Sequence, residues 1–548
     1  MNGEWRGCKT HRSRISVLCV VTAAMLTVGC ARVRPHEEYE QAAARIAQQT
    51  GVDGVYSPES DDLVAGQAQE LLANGLTIDE SVRLSLLSNR GLQALFAELG
   101  IAKADLVQSK LLSNPTLALG VMFPQGGGRA KLSGGIAQEL ADLWQIPVRR
   151  RIAKKELQST LLKIVDSAVS LVAQTKIKYY QLAAAEQTES LVAEEQKFSE
   201  HSLHLAQMRF NAGDTSILDV HLVRASLLDI QRKQVTAKQS VVTARAELAH
   251  LLGLGATGET LTITDQIPVG FRSSDSPVNL LAWAMEHRLD TQAALAAVAG
   301  AEEQVRKQRR AVFPSVILGM DAERSEMRGP KSLPFNPLGS LPAPGDTASA
   351  LTVPQNATQL VQAYRDRVAA NQDTMRGLRR DYLLNRLDEK RARDHEKKQN
   401  IDVTLGPSLK LTLPIFDQNR AQIAKARFQL WQKQKEHEEL LQAVAEEVSV
   451  FAAAVKAAEE LRRLFEEESL PLAEDNIETA QRVYAAGEAD ILVVLDAQEA
   501  LMRVREALVG ARQDSASAVA LLEKTLGGRL PDVGEGVSSV ANPPGDKQ

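Results

Sequence analysis

The chain has 548 residues and a net charge of −5, so it has no bulk basic field of the kind that binds nucleic acid. The three cysteines lie at positions 8, 19 and 30, which excludes a disulfide or a cysteine-ligated metal cluster in the rest of the chain. Aromatic residues make up 4%, which is low for a compact core and typical of long helices packed along narrow seams. The sequence has no nucleophile elbow, P-loop or zincin motif, so we expect neither an enzyme nor a cofactor.

The N-terminus has the pattern of a secretory signal. Basic residues within the first 14 positions precede an apolar run over 15–28, which is too short to span a bilayer, since about 20 residues are needed. The run ends in Leu26-Thr27-Val28-Gly29-Cys30, which resembles a bacterial lipoprotein processing site. That resemblance implies a signal peptide over 1–29 and an acylated Cys30. The alternative is an ordinary signal with a fortuitous cysteine.

A polar segment separates the signal from the first predicted helix. Residues 30–75 predict an extended or weakly helical lead-in. Thr77 and Glu80 form a capping-box pattern, in which threonine accepts from a first-turn amide and glutamate bonds back to the cap. We expect one helix from this cap to about Leu112, because Pro115 disfavours the helical conformation in the residue before it.

Two short alternating runs then predict a β-hairpin. A turn at 124–128 separates them, and Pro147 is expected to end the hairpin. The apolar residues on the two predicted strand faces are Leu117, Leu119, Val121 and Phe123, and then Leu132 and Ile136.

A long helical hairpin follows. No proline occurs from Val148 to Ile267, and apolar residues recur at coiled-coil spacing to about Arg209. That helix would be on the order of 90 Å long. A turn over Phe210–Gly213 predicts a reversal, and a returning helix is expected to stop at Gly253.

The hairpin occurs twice. The stretch 209–220 matches 483–494 at an offset of 274, and identical pairs at that offset continue to Gly253 and Gly527. A repeat that keeps one register predicts a duplicated unit. We therefore expect a first repeat over 76–270, a second over 271–527, and a disordered tail over 528–548.

The second repeat departs from the first in two places. Pro471 should kink its long helix. An insertion over 321–402 separates its two strands, and from Gln359 to Lys398 this insertion is charged and compatible with a helix. The sequence assigns it no function.

Four strands per chain pose a structural problem. They cannot close a barrel, and open sheet edges are not tolerated in lipid. If the strands lie in a membrane, several chains must pool them, and three chains would supply twelve. The competing interpretation is a periplasmic coiled-coil structural or adaptor protein that forms no pore.

The order and duplication of these features resemble the TolC-like outer membrane efflux protein family. The supporting residues are the turns Phe210-Asn211-Ala212-Gly213 and Tyr484-Ala485-Ala486-Gly487, the Ile-Leu pairs after them, and Leu470-Pro471-Leu472-Ala473-Glu474. The resemblance implies a mainly α fold with a small β part. It further implies a homotrimer whose twelve strands form a barrel in the outer membrane and whose helical hairpins form a periplasmic α-barrel. Such a channel exports small solutes with a periplasmic adaptor (a membrane fusion protein) and an inner-membrane pump.

The same resemblance suggests residues for a functional site. Phe210, Gly213, Tyr484 and Gly487 would form the tip turns where the adaptor docks. Asp496 would lie at a channel constriction, although Val493 replaces a second acidic residue there. The alternative is a solvated helix aspartate or a salt bridge at the tip. The stretch 142–147 looks like the strand-to-helix junction of members that serve heavy-metal exporters. Histidines three residues apart, such as His201 and His204, suit a metal, and His221 lies across the turn. Solvated positions on long helices are the favoured interpretation, so no metal site is assigned.

Overall fold

The computed structural model describes residues 32–73, 75–123, 130–255, 261–268, 277–312, 315–326, 357–399 and 401–529. The chain divides into two compact units. The helical unit comprises Met1–Leu111, Gln145–Ala311 and Asn419–Gln548, and the sheet unit comprises Leu112–Trp144 and Val312–Gln418. The predicted signal over 1–29, the hairpin turn at 124–128 and the tail beyond residue 529 lie outside the described residues.

The lead-in is more helical than the sequence indicated. It contains α1 (His36–Thr50) and α2 (Asp61–Leu72), with a short 3₁₀ turn at Pro58–Ser60 before α2. α1 buries Tyr39, Ala42 and Ile46, whose spacing places them on one helical face. The prediction of an extended or weakly helical segment was wrong here because it overlooked this apolar stripe.

The capping box at Thr77 is confirmed. The Thr77 side chain accepts from the Glu80 amide, and the Glu80 carboxylate accepts from the Thr77 amide at 2.8 Å. The helix does not continue to Leu112, however, but divides into α3 (Ile78–Ser88) and α4 (Arg90–Gln108). At the break Asn89 is extended, accepts from the Leu92 amide at 3.0 Å and donates to the Leu251 carbonyl at 2.9 Å.

The second repeat has the same kind of break. Its first helical stretch is divided into α7 (Pro277–His287) and α8 (Leu289–Arg310). Arg288 is extended between them, with a ψ of 128°. Its guanidinium bonds to the carboxylates of Asp290 and Glu447 and to the Thr525 carbonyl, so it ties the break to the helices packed against it.

The first long hairpin consists of α5 (Asp142–Ala212) and α6 (Ile217–Leu251). α5 starts earlier than the sequence predicted, and Pro147 lies inside it instead of ending the β-hairpin. The first four amides of a helix have no intrahelical partner, but Pro147 lies beyond them. The proline at the sixth position therefore removes only the one bond to the Leu143 carbonyl.

The second long hairpin is interrupted. After the helix α9 (Ala357–Gln399) and the strand β4 (Ile401–Leu411), the hairpin begins with α10 (Arg420–Arg463). A π-helical segment (Leu464–Ser469), α11 (Leu470–Ala485) and α12 (Ile491–Thr525) follow. Pro471 lies at the start of α11. The missing proline amide interrupts the α-helical bonding ladder, and a π segment lies just before the proline. The kink at Pro471 stays a prediction.

The sheet unit is a four-stranded antiparallel sheet in the order β1-β2-β3-β4. The strands are β1 (Thr116–Met122), β2 (Lys131–Glu139), β3 (Val316–Glu326) and β4 (Ile401–Leu411). The charged part of the insertion forms α9 (Ala357–Gln399), as its composition predicted. Both β3 and β4 extend into the 321–402 interval.

The apolar core of the helical unit runs along the long hairpins. One cluster packs α1, α4 and α8 against the first third of α5, and its fully buried members include Phe96, Ile46 and Val165. Further along α5, Tyr179 donates to the Leu76 carbonyl at 3.0 Å and accepts from the Asp265 amide at 2.9 Å. No helix among the described residues combines the length and apolarity needed to cross a membrane.

Candidate functional site

One face of the sheet is largely apolar, with Gln138 and Arg324 near its two ends, and among the described residues its apolar side chains are exposed. Paired residues in adjacent strands share a face, and the register aligns Leu117 with Ile136 and Met320. The next apolar row on this face aligns Leu119 with Leu405 across the two middle strands, and Leu119 is 80% exposed. The remaining exposed apolar residues of this face are Val121, Leu132, Leu318, Val403, Leu409 and Leu411.

The opposite face is small and polar. Its rows align Gly120 with Ser133 and Glu323, and Gly135 with Asp321. Lys131 and Glu323 form a 2.6 Å ion pair on this face. A sheet with an exposed apolar face and a charged face has the amphipathic pattern that separates lipid from water in a membrane-spanning sheet.

The sheet also has two open edges. β1 pairs only with β2, and β4 pairs only with β3, among the described residues. Their outward-facing amides and carbonyls have no strand partner there. Such edges are templates for pairing with another chain.

The two hairpin turns have the same backbone bonding. The Gly213 amide donates to the Phe210 carbonyl at 3.0 Å, and the Asp214 amide donates to the Arg209 carbonyl at 2.9 Å. In the second turn, the corresponding donors are Gly487 and Glu488, and both bonds are 3.1 Å long with acceptors at the same offset of 274. The repeat seen in sequence is therefore reproduced bond for bond.

Both turns require glycine for the same reason. Gly213 has a φ of 83° and Gly487 a φ of 77°, in the left-handed region. A Cβ at either position would meet nothing within 4 Å. The requirement therefore comes from backbone conformation and not from crowding.

The helices that leave the turns are capped differently. Ser216 accepts from the Asp219 amide, and the Asp219 carboxylate accepts from the Ser216 amide at 3.0 Å, which forms a capping box. A hydrogen bond from the Thr215 hydroxyl, together with the Ser216 amide, lowers the pKa of Asp219. In the second hairpin Asp490 caps α12, accepting from the Ile491 amide at 2.7 Å. These caps were missed in the sequence, although the offset of 274 aligns Ser216 with Asp490 and both are good N-cap residues.

The two turns pack against each other. A small core joins Ala206, Val223, Ala480, Ile491 and Val494. The Arg209 guanidinium lies 4.7 Å from the centre of the Tyr484 ring, which is a cation–π distance. The structure thus joins the ends of both hairpins, and of the predicted tip residues Tyr484 borders the small core. We call the two turns and this core the tip. Arg209 is the member that sequence reasoning missed.

The two sides of the tip are not equally buried. Ile217 is 51% exposed, whereas its counterpart Ile491 is 7% exposed. Phe210 and Leu218 are likewise exposed, and Tyr484 is only partly so. The first hairpin therefore presents an apolar patch of Phe210, Ile217 and Leu218 to solvent.

The other candidate residues are placed as follows. Asp496 is exposed on α12, two residues beyond the buried Val494. Cys30 lies outside the described residues. In the described part of the chain, no group of three or more histidine, cysteine, aspartate or glutamate side chains is arranged to hold a metal ion.

A family model described as "Outer membrane efflux protein" matches residues 82–254 and 355–528, more than half of the chain. The chain belongs to the outer membrane efflux protein family. No curated protein matches the sequence significantly.

Solved structures of this kind have the same fold. CusC, from a study of folding and transmembrane channel formation, is 16% identical to this chain, with a TM-score of 0.60. The alignment covers 82% of this chain and 92% of the CusC chain. A membrane protein from Pseudomonas aeruginosa is 17% identical with a TM-score of 0.60 and the same two coverages. The outer membrane protein VceC from Vibrio cholerae is 16% identical with a TM-score of 0.59, covering 82% of this chain and 96% of its own.

Family membership places this efflux protein in the outer membrane as a channel component. The predicted mainly α fold with a small four-stranded part is confirmed. The family is one of transport channels rather than enzymes.

Proposed function

We propose that three copies of this efflux protein form a channel-tunnel that exports small solutes from the periplasm, or from a pump, to the exterior as part of a tripartite system. The sheet supports this proposal most directly, because it has an exposed apolar face, an opposite face of small and polar residues, and two open edges. A lone four-stranded sheet of this kind is unstable in lipid, because unpaired backbone groups are costly there.

Closure by three copies supports this assembly. Each open β4 edge would pair with the β1 edge of the next chain, and twelve strands make a viable barrel. The exposed leucines and valines then face lipid, and Gly120, Ser133, Asp321 and Glu323 face the lumen. A small polar inner face leaves room for water and solute.

The tip is the proposed docking region for a periplasmic adaptor and, with it, an inner-membrane pump. Its exposed patch of Phe210, Ile217 and Leu218 offers apolar contact area at the end of a rigid hairpin. Gly213 and Gly487 fix the turn geometry that presents it. Tyr484 acts mainly in packing, because it is held beneath Arg209.

Asp496 is proposed to line a constriction near the tip. It is exposed on α12, and three copies around an axis would focus negative potential and favour cations. Heavy-metal cations are the cargo that the junction at 142–147 suggested. An Asp496→Ala variant is expected to raise closed-state conductance in planar bilayers, and unchanged conductance would remove Asp496 from the constriction.

Cys30 is proposed to be acylated, which would anchor the chain to outer membrane lipid. The mass of the mature N-terminus tests this directly. The natural chain should begin at a lipid-modified cysteine, and Cys30→Ser should lose that modification. An unmodified Cys30 would leave the ordinary-signal alternative.

The assembly itself is tested by extracting the protein from outer membranes in mild detergent and measuring the native mass. A trimer is expected. A soluble monomer would contradict the channel and favour the alternative of a periplasmic coiled-coil protein without a pore.

A further inference from the structure

α9 carries a continuous heptad seam. Apolar or amide residues recur along it at alternating spacings of three and four, the pattern of the two core positions of a coiled coil. The seam residues are Val361, Tyr364, Val368, Asn371, Met375, Leu378, Tyr382 and Asn385. This spacing of seven residues holds over more than three heptads, which distinguishes the face from a general scatter of apolar residues.

Among the residues that the structure describes, none covers this seam. Its apolar side chains are between 38% and 69% exposed. None of them belongs to an apolar core cluster of the described residues. An isolated, mostly polar helix of this length gains most of its stability by packing an apolar face, so the seam needs a partner.

The polar seam positions fit a copy of the same helix. Asn371 and Asn385 each carry an amide that both donates and accepts hydrogen bonds. In-register copies bring each asparagine to its own equivalent, where the two functions are complementary. A buried asparagine of this kind specifies register at some cost in stability.

The flanking charges favour a parallel arrangement. In a parallel, in-register coiled coil Asp381 of one copy faces Arg386 of the next, an attractive pair of opposite charge. Neither of the two preceding pairs across this interface brings like charges together. These pairs are Arg367 with Gln372 and Thr374 with Arg379. An antiparallel pairing would instead bring arginines on the same flank, such as Arg379 and Arg386, towards one another.

We propose that α9 forms a parallel, in-register coiled coil with the α9 helices of other copies of this chain. The inference rests on the proposed trimer for the number of helices, which is three. It assigns the insertion as an additional self-association surface, carried by the sheet unit and separate from the strand edges.

Cysteine cross-linking in the full-length membrane-embedded protein tests this seam. Met375→Cys places a thiol on the seam, and Asp373→Cys places one on the opposite, charged side. Leu384→Cys adds an exposed apolar position off the seam, which controls for non-specific association. Under mild oxidation we expect disulfide-linked dimers from Met375→Cys at a yield at least about ten-fold above both controls. The unsubstituted chain sets the background from Cys30.

Equal cross-linking at all three positions, or none at Met375, overturns the proposal. A seam covered within one chain, for example by residues 327–356, gives no intermolecular cross-link and is one such outcome. Native mass is measured on the same samples. A trimer without the Met375 cross-link removes the coiled coil alone, whereas a monomer removes the coiled coil and the proposed channel together.

Charge exchange tests the parallel direction. In the Met375→Cys background, Asp381→Arg should lower the cross-linking rate roughly two-fold, because exposed ion pairs are weak. Adding Arg386→Asp recreates the opposite-charge pair and should restore the rate. Failure of the second change to restore it would contradict the parallel register.

Discussion

The turns of the two long hairpins have the same backbone geometry, but the side chains that pack around the two turns differ. Both turns have the same glycine conformation and the same pair of backbone bonds. Yet Ile217 is exposed where Ile491 is buried, and Ser216 caps one helix where Asp490 caps the other. The duplication has therefore kept the backbone geometry of the turn, while the side chains have diverged to suit different neighbours.

The long helices that lead into the two turns also differ between the repeats. Ile152-Ala153-Lys154 in α5 matches Ile423-Ala424-Lys425 in α10 at an offset of 271, whereas the turns match at 274. The second helix thus contains three more residues between these points. The π segment at 464–469 lies within this interval and takes up extra residues, because a π turn holds more residues than an α turn.

Next to the π segment, charge replaces apolar packing. Arg462 is buried and bonds to Glu459 and Glu466, and Glu466 also bonds to Arg512 at 2.5 Å. Ser515 reaches Glu459 at 3.4 Å, and the offset of 274 places Val241 of the first hairpin at this position. The second hairpin therefore contains a buried ionic network where the first has an apolar seam.

The largest predicted effect comes from breaking this network. Arg462→Leu leaves Glu459 buried without its main partner and should lower the free energy of unfolding by about 3–4 kcal/mol. Denaturant unfolding followed by circular dichroism measures it. Arg232→Leu, at an exposed pair with Asp229 in the first hairpin, should change stability by less than about 1 kcal/mol. A loss for Arg462→Leu no larger than for this control would show that the network is not buried in the assembly.

The two isoleucines give a matched test of the tip. Ile491→Ala should lower the free energy of unfolding by about 2–3 kcal/mol, because it leaves a cavity in the small tip core. Ile217→Ala should cost less than about 1 kcal/mol but should weaken binding of the adaptor. Equal stability losses would contradict the asymmetry, and unchanged adaptor binding would remove Ile217 from the docking patch.

Two carboxylates, one in each repeat, have pKa values shifted in opposite directions, which gives a test by pH. Hydrogen bonds from Arg462 lower the pKa of Glu459, whereas burial, assisted by Asp290, raises the pKa of Asp166 on α5 to about 6. A raised folded-state pKa contributes stability that is present below the unfolded value of 3.8 and is lost as pH rises through about 6. Above that pH, the ionised Asp166 destabilises the fold.

Asp166→Asn should therefore stabilise the protein by about 1–2 kcal/mol at pH 8 and by much less at pH 4. Melting temperatures at both pH values measure this. A gain of equal size at both values would mean that ionisation of Asp166 is not the cause.

The two turn glycines give the most symmetric prediction. Gly213→Ala and Gly487→Ala should each cost about 1–2 kcal/mol, because both force a side chain into the left-handed region without any clash. The two losses should agree closely. A large difference between them would show that one turn changes its conformation in the assembly.

The features of the fold that the sequence predicted are those set by interactions between neighbouring residues. The Thr77 cap, the alternating strands, the glycine turns and the break at Pro471 all depend on residues close together in the chain. The helix breaks at Asn89 and Arg288 could not be read in this way, because each is held by a partner far along the chain, such as Leu251 for Asn89.

The tip asymmetry was also beyond sequence reasoning. Ile217 and Ile491 are the same residue in matching local sequences, and only tertiary packing separates them. The seam of α9, in contrast, was present in the sequence. The charged, helix-compatible composition predicted α9 with Leu, Val and Tyr on one side, whereas the seam depends on the heptad spacing of these residues.

The most direct test of the central claim probes the two faces of the sheet in intact outer membranes. Leu119→Cys lies on the apolar face, and Ser133→Cys lies on the polar face. A charged, water-soluble thiol reagent should label Ser133→Cys and not Leu119→Cys, while a lipophilic reagent should show the reverse preference. If both thiols react equally with the water-soluble reagent, the sheet does not separate lipid from a water-filled channel, and the account is contradicted.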